Sequence, residues 1–380
     1  MGTRIIDTDV LVIGGGLAGC WAAISAKESA ERVTLLEKAV VARSGASTFT
    51  NSMLAPPPEG EVDAWLTEIV EAGEYLNDQE WVRNLLLEQP LRVEQMAGWG
   101  VPFERDSEGR LRRTPGRGHK KTGLIMCNGH RLMEAMKKKV LDSGVELISR
   151  VMAVDLLTSD GRHPTQGRVT GAVGFHTQEE GEGEGALVVC RAKAVVVTTG
   201  VMDGKLKILY IHNLTGDGPA MGYRAGAELT GMEFCTVPKI TRYEGKYYGG
   251  GSSLLQGFGA KFINRLGEEV TSPELKNRAR VGYLCQAFAK EHYEGRDPVY
   301  FDLTSFTPEQ VAMVKKLLPS QMKPLLKAGI DISSHPLRID PVISIGSPSG
   351  QGGIRIDVNC QSSLPGPRLG TGADEGQGCP

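Results

Sequence analysis

The sequence predicts an α/β fold, a parallel sheet layered with helices, with a smaller α+β region inserted late in the chain. Three observations carry this. A β-branched apolar run, Asp9 to Ile13, ends at a glycine cluster, as a buried parallel strand does. The same kind of run returns at Ala192–Gly200, AKAVVVTTG. From Cys235 to Arg338 the pattern changes to glycine-rich turns, short strands and amphipathic helices.

The first unit reads DVLVIGGGLAGCWAAISAKESAERVTLLEK, residues 9 to 38. Gly14, Gly16 and Gly19 fit G-x-G-x-x-G. Gly14 allows the sharp strand-to-helix turn, Gly16 lets a pyrophosphate approach the backbone, and Gly19 lets helix pack on strand. Leu17 and Ala18 open the helix, whose N-terminus then faces the phosphates. Arg32 to Leu36 returns as a second strand and ends at Glu37, about 20 residues on, where a ribose hydroxyl acceptor belongs. Strand, helix, second strand and terminal acid together predict a Rossmann-like dinucleotide-binding domain. The competing explanation is a glycine-rich turn in an unrelated α/β domain, since the chain holds 49 glycines.

Bulk properties narrow the function. With 380 residues the chain has room for a large core and two domains, or one domain with a sizeable insertion. Its 43 basic and 45 acidic residues leave a net charge of −2, so no nucleic-acid partner is expected. No apolar run approaches a membrane span, and MGTRIIDTD runs straight into the first strand, so a cytoplasmic protein is expected. The 7 cysteines are scattered without a C-x-x-C pair, which argues against a zinc site, a disulfide framework or a cluster carried by this chain.

Past Lys38, the small polar residues Ser44, Gly45 and Ser47 can offer amides and hydroxyls to a cofactor, or form an ordinary solvated loop. Helices are expected over Ala64–Ala72, Gln79–Trp99 and Gly129–Ser143 from apolar spacings of three and four. Between them, Arg105–Lys121 reads as a basic glycine-rich loop in which Arg117 and His119 can face a carboxylate. Val145–Ser149, Val151–Leu157, Arg168–Gln178 and Ala186–Arg191 read as strands, the last two joined at the GEGEG tip. The Val151 backbone can lie against an adenine edge. Ala192–Gly200, ending at Thr199 and Gly200, is expected to be a separate parallel strand. Thr215 to Gly218 form a turn before a helix, which Asp217 can cap or leave to bond a ligand hydroxyl. The chain divides into 1–234, 235–339 as a cap, 340–366 as a return strand, and a disordered tail at 367–380.

The ordered motifs VIGGGLAG (12–19), LLEK (35–38), RSGAS (43–47), AKAVVVTTG (192–200), TGDGPAMGYRAGAELTGMEF (215–234) and GGIRID (352–357) span most of the chain. Together they resemble the fumarate reductase and succinate dehydrogenase flavoprotein family, which includes aspartate oxidase and the adenylylsulfate reductase α subunit. The resemblance implies extended FAD, a cap domain closing over the flavin ring, and hydride or two-electron transfer with a small-molecule substrate. By position it carries Gly14, Gly16, Leu17, Ala18, Gly19, Glu37, Lys38, Ser44, Gly45, Ser47, Val151, Thr199, Gly200 and Asp217 over as FAD contacts. Alternatives are an electron-transfer subunit beside an iron–sulfur partner, and an inactive truncated flavoprotein.

Departures from the family shape further expectations. The loop that carries a flavin-linking histidine in some members is Ser44-Gly45-Ala46 here, so FAD is expected to be non-covalent. Gln256 or Phe258 stands where the proton-donating arginine belongs, and CTVPKI and SPSGQGGI replace two histidine elements. The remaining polar candidates for catalysis are Arg242, Lys261, His335 and Arg355. The element expected to close the flavin site after GGIRID is missing or altered.

Overall fold

Alternating burial from Ile5 to Thr8, followed by the fully buried Leu11, Val12 and Ile13, makes β1 (Thr3–Ile13) longer than its apolar run. The computed structural model describes residues 2–116, 118, 120–177, 187–202, 214–234, 239–243, 246–247, 252–270, 281–342 and 352–365. It gives backbone alone at 239–243, 246–247, 252, 281–282, 285, 320–321 and 340–342. Arg117, His119, the GEGEG tip and the tail at 367–380 lie outside the described residues.

Small residues let α1 (Leu17–Ala26) lie flat on the sheet, with Gly19, Cys20, Ala23 and Ile24 buried. The chain continues through β2 (Val33–Glu37), α2 (Ala46–Phe49) and β3 (Ser52–Leu54) to α3 (Val62–Ala72) and α4 (Gln79–Gly98). Asp78 caps α4 by accepting from the Glu80 and Trp81 amides. A short hairpin follows, in which β4 (Arg113–Thr114) pairs with β5 (Leu124–Met126), so the basic loop is partly strand. Next come α5 (Gly129–Asp142), capped by Asn128, then β6 (Glu146–Ser149), β7 (Val151–Thr158) and β8 (Val169–His176).

Where two strands were expected, 186–191 and 192–200, the structure has one, β9 (Leu187–Val197). One of its edges runs parallel to β1 from Leu187 to Val197, and the other runs antiparallel to β8 from Leu187 to Arg191. The polar RAK triplet gives no turn residue, so the strand passes straight through. The resulting six-stranded sheet has the order β6-β2-β1-β9-β8-β7, and β3 and β4 flank β5 in a second sheet.

After β9 come α6 (Asp217–Ala225) and β10 (Leu229–Thr230). A five-stranded antiparallel sheet, in the order β12-β11-β15-β14-β13, begins with β11 (Lys239–Tyr243), β12 (Lys246–Tyr247) and, past the helix α7 (Ser252–Gly257), β13 (Lys261–Ile263). It is completed by β14 (Val299–Asp302), which follows α8 (Val281–Tyr293), and by β15 (Leu337–Val342), which follows the helices α9 (Pro308–Leu317) and α10 (Pro319–Lys327). A Thr307–Gln310 capping box starts α9. The last strand, β16 (Gly353–Ile354), pairs with β10.

Each face of the large sheet has its own core. On one side Val12, Leu35 and Cys20 pack with Trp65, Leu86, Leu132 and Met136 from the helices. On the other, Leu11, Ile13, Val195 and Val197 pack with Met221 and Ala225 of α6 and with Ile354. The inserted region is built around Phe262, which stacks on Phe301 at 4.6 Å and meets Phe288 edge-on at 5.1 Å.

Candidate functional site

At the end of β1 the backbone must turn beside β9, and only glycine allows it. Gly14 sits at φ +108, and a Cβ there would fall 2.4 Å from the Thr198 carbonyl oxygen. A Cβ at Gly19 would lie 1.8 Å from the Gly14 oxygen. Thr198 Oγ1 donates to the Gly14 and Ile13 carbonyls at 2.8 and 3.0 Å, tying loop to strand. At Gly16 a Cβ would meet only Ser47 Oγ, at 3.4 Å, so this side of the backbone is open.

That opening has the character of an anion cradle. Gly16 supplies no side-chain cap and the first turn of α1 carries no acid. The Leu17 amide donates to Ser47 Oγ at 3.1 Å, while the Ala18 and Gly19 amides have no intrahelical partner by helix geometry. A pyrophosphate fits these donors and the helix dipole.

Glu37 stands at the end of β2 as expected. Its carboxylate also organises the loop, accepting from the Gly15 amide at 2.7 Å and the Ala39 amide at 2.8 Å. A carboxylate has further lone pairs, so ribose hydroxyls can still be accepted. Val151 is buried beside this strand end. The Arg150 amide donates to the Ala39 carbonyl at 2.9 Å, and Thr177 Oγ1 donates to the Lys38 carbonyl at 3.1 Å.

Asp217 differs from the capping expectation. Gly216, at φ +74, is the N-cap of α6 and no side chain caps the helix. The Asp217 carboxylate instead accepts from Lys38 Nζ at 2.8 Å and Thr215 Oγ1 at 2.6 Å, and Lys38 also donates to Thr215 Oγ1 at 2.6 Å. Thr199 packs under α6, its hydroxyl 2.0 Å from where a Gly218 Cβ would stand. The ends of β1, β2 and β9 and the start of α6 therefore surround one crevice at the carboxyl edge of the sheet, the place where such folds take ligands.

Ser44, Gly45 and Ser47 approach from the loop into α2. Gly45 sits at φ +85 with nothing near its missing Cβ. The sequence reading missed His130, whose ring meets Phe49 edge-on at 5.7 Å. Gly129 brings it there, because its Cβ would clash at 2.6 to 2.7 Å with the Ser47, Thr48 and Thr50 carbonyls. An Asn-Gly pair opening an amphipathic helix was the available signal.

The four catalytic candidates are dispersed. Arg242 lies on β11, in strand register with Asp340 of β15 and Tyr247 of β12, while Lys261 lies on β13 beyond β15 and β14, its Nζ 3.9 Å from Glu269. His335 is exposed, with Nδ1 2.8 Å from Ser334 Oγ. Arg355 pairs with Glu228 at 2.8 Å through its side chain and again through its backbone amide. Thiol chemistry has little support here. Burial, with the Glu37 charge adding to it, pushes Cys20 up to about 12, and burial pushes Cys127 up to about 12.

Fold and crevice together define a dinucleotide-binding flavoprotein architecture. The model of the FAD binding domain family matches residues 9–369, and the chain belongs to that family. It is 28% identical to the CoM/CoB fumarate reductase subunit of Methanothermobacter marburgensis, over 94% of this chain and 65% of that protein. To the L-aspartate oxidase of Streptomyces coelicolor it is also 28% identical, over 95% of this chain and 62% of that one. The chain thus spans less than two thirds of the length of these relatives. Among solved structures, the quinol fumarate reductase of E. coli superposes with a TM-score of 0.79 at 22% identity, covering 97% of this chain and 64% of that chain. Among the described residues no helix is long and apolar enough to cross a membrane.

Proposed function

We propose that the protein is an FAD-dependent oxidoreductase that binds FAD non-covalently and exchanges a hydride or two electrons with a small organic or inorganic substrate. The observation that carries this is the convergence of the glycine loop, Glu37 and the Lys38–Thr215–Asp217 cluster on one crevice. FAD supplies the redox chemistry when bound. The chain supplies the rest. The α1 amides and Ser47 hold the phosphates, Glu37 takes the adenosine ribose while bracing the loop, and Val151 borders the adenine. Lys38 and Asp217 present a cation and an acceptor to the ribityl region, with Thr199 and Gly200 below, and residues 235–339 act as the cap. Arg242, Lys261, His335 and Arg355 remain the candidate proton-handling and substrate groups.

A second reading follows from the relatives, several of which are named as subunits. In it the chain hands electrons to an iron–sulfur partner, and copurification of such a protein separates the two readings. Both place the chain in the cytoplasm, which cell fractionation tests. Absorbance of the purified chain tests the core of the proposal: a flavin band that survives desalting is expected, and acid precipitation should leave the flavin in the supernatant. A chain that takes up no flavin when FAD is added refutes the proposal, and flavin that stays with the precipitate refutes the non-covalent attachment.

A further inference from the structure

We infer that Met202 is a modification site, where a hydroperoxide oxidises the thioether to the sulfoxide and thereby loosens the FAD crevice. This rests on the oxidoreductase reading for the role of the crevice and goes beyond it in naming a chemical control on that site.

The placement begins where β9 ends. Gly200 turns the chain at φ +75, Val201 packs on Leu214, and Met202 forms an isolated antiparallel bridge with Thr215. The Met202 side chain then lies along Gly216, the N-cap of α6. A Cβ on Gly216 would stand 3.0 Å from both Cγ and Sδ of Met202, so the thioether rests on the bare face of that glycine. Gly216 sits between Thr215 and Asp217, the two residues to which Lys38 donates. Met202 thus touches the turn that holds the Lys38–Thr215–Asp217 cluster together.

Exposure decides which thioether reacts. Met202 is 46% exposed, whereas Met126, Met133, Met136 and Met221 are buried in the cores. With hydrogen peroxide as oxidant, the sulfur lone pair attacks one peroxide oxygen, the O–O bond breaks and an S–O bond forms. The other oxygen leaves as water, taking up the proton of the first, and the sulfur has given two electrons to the peroxide. The product is polar and chiral where the thioether was flexible and apolar. Because Sδ already lies against Gly216, the new oxygen either presses on the turn or draws the side chain off it. Gly216 holds a left-handed conformation at φ +74, with the Thr215 hydroxyl and the Asp217 carboxylate 2.6 Å apart on its two sides. Shifting it separates these oxygens and disperses the group that faces the ribityl region. Met232 supplies the comparison. It is 45% exposed, as open to peroxide as Met202, but its Cα packs 2.7 Å from where a Gly352 Cβ would stand. The hydrogen bonds of the Lys38–Thr215–Asp217 cluster do not involve it.

The test treats the full flavin-loaded chain with hydrogen peroxide, maps oxygen uptake by peptide mass spectrometry, and reads FAD affinity by flavin fluorescence once the peroxide is removed. Met202 should gain an oxygen atom, and FAD affinity should fall at least about tenfold, the scale of losing a hydrogen bond to a charged group. Met202→Leu keeps the volume without the oxidisable sulfur, so it should bind FAD as the wild type does and keep its affinity through the treatment. Met202→Gln, polar from the start, should bind FAD weakly without peroxide. Methionine sulfoxide reductases for both epimers should restore the wild type, and a loss that they leave in place overturns the inference. Oxidised Met202 with unchanged affinity overturns it, as does a loss that persists in Met202→Leu or disappears in Met232→Leu. Met202 left unreacted while Met232 is oxidised overturns it too. A chain that takes up no flavin refutes the oxidoreductase reading instead. The thermal midpoint of that chain then decides the inference, since peroxide must lower it in the wild type and spare Met202→Leu.

Discussion

Glu68 on α3 holds the end of the basic loop. Its carboxylate accepts from the Lys120 amide at 2.9 Å, the Lys121 amide at 2.7 Å and Thr122 Oγ1 at 2.6 Å. Burial raises its pKa, but these hydrogen bonds outweigh burial and leave the carboxyl below the usual glutamate range. A depressed folded-state pKa contributes stability that is present above the unfolded-state value, near 4.3, and fades as pH falls through the folded-state value. Glu68→Ala should therefore cost about 1–3 kcal/mol in urea unfolding at neutral pH. It should also flatten the loss of stability between neutral and acid solution; a variant as acid-sensitive as wild type would contradict this. The sequence showed a basic loop but not its anchor, because Glu68 and Thr122 lie far apart in the chain and no local spacing links them. Glu37 was readable, since strand end and fingerprint lie close together, although its bonds to Gly15 and Ala39 were not.

Elements were readable where periodicity is strong and turn chemistry explicit, as in α3, α4, α5 and the β1–α1–β2 unit. The division of β9 into two strands failed because pairing partners, not composition, decide whether a polar triplet interrupts a strand. The β3–β5–β4 sheet escaped notice because its strands have only two or three residues each, too few for alternation to register. Packing between α2 and α5 carries its own test. The Gly129 backbone lies against the Ser47 and Thr48 carbonyls of α2 and the Thr50 carbonyl just beyond it, so Gly129→Ala must force α5 away from α2. The expected cost is about 1–3 kcal/mol, by analogy with overpacked cores. FAD affinity, read by flavin fluorescence, should fall along with it. Loss of stability with unchanged affinity would show that α2 does not touch the cofactor.

At the scale of the whole molecule, the described contacts of the inserted region with the residues before it include a buried side chain and two hydrogen-bonded pairs. Met126 is fully buried in the core of the inserted region, and Lys316–Glu104 and Tyr283–Glu74 span the seam at 2.6 and 2.9 Å. Met126→Ala should cost about 2–5 kcal/mol and make proteolysis between the two parts easier without dispersing the cofactor sheet. If the sheet melts together with the inserted region, the two form one cooperative unit and this expectation is wrong. Arg242, Lys261, His335 and Arg355 follow from residue type alone, and no local spacing in the sequence ties them to one another, so their places on β11, on β13, before β15 and beyond β16 were not legible.

The pairing of β1 with β9 reaches beyond the folded state. On one edge Val10 to Ile13 pair with Val33 to Leu36 of β2, but the other edge, Thr3 to Ile13, finds its partner at Leu187 to Val197. A ribosome moving at about 5–20 residues per second needs roughly 10–40 s to supply that partner. During that interval one edge of an apolar strand waits beside the exit tunnel with its amides and carbonyls unmatched, which is the condition under which nascent chains aggregate or recruit chaperones. The polar and charged residues of its outer half, Thr3, Arg4 and Asp7, then protect the newborn chain before they serve the finished fold.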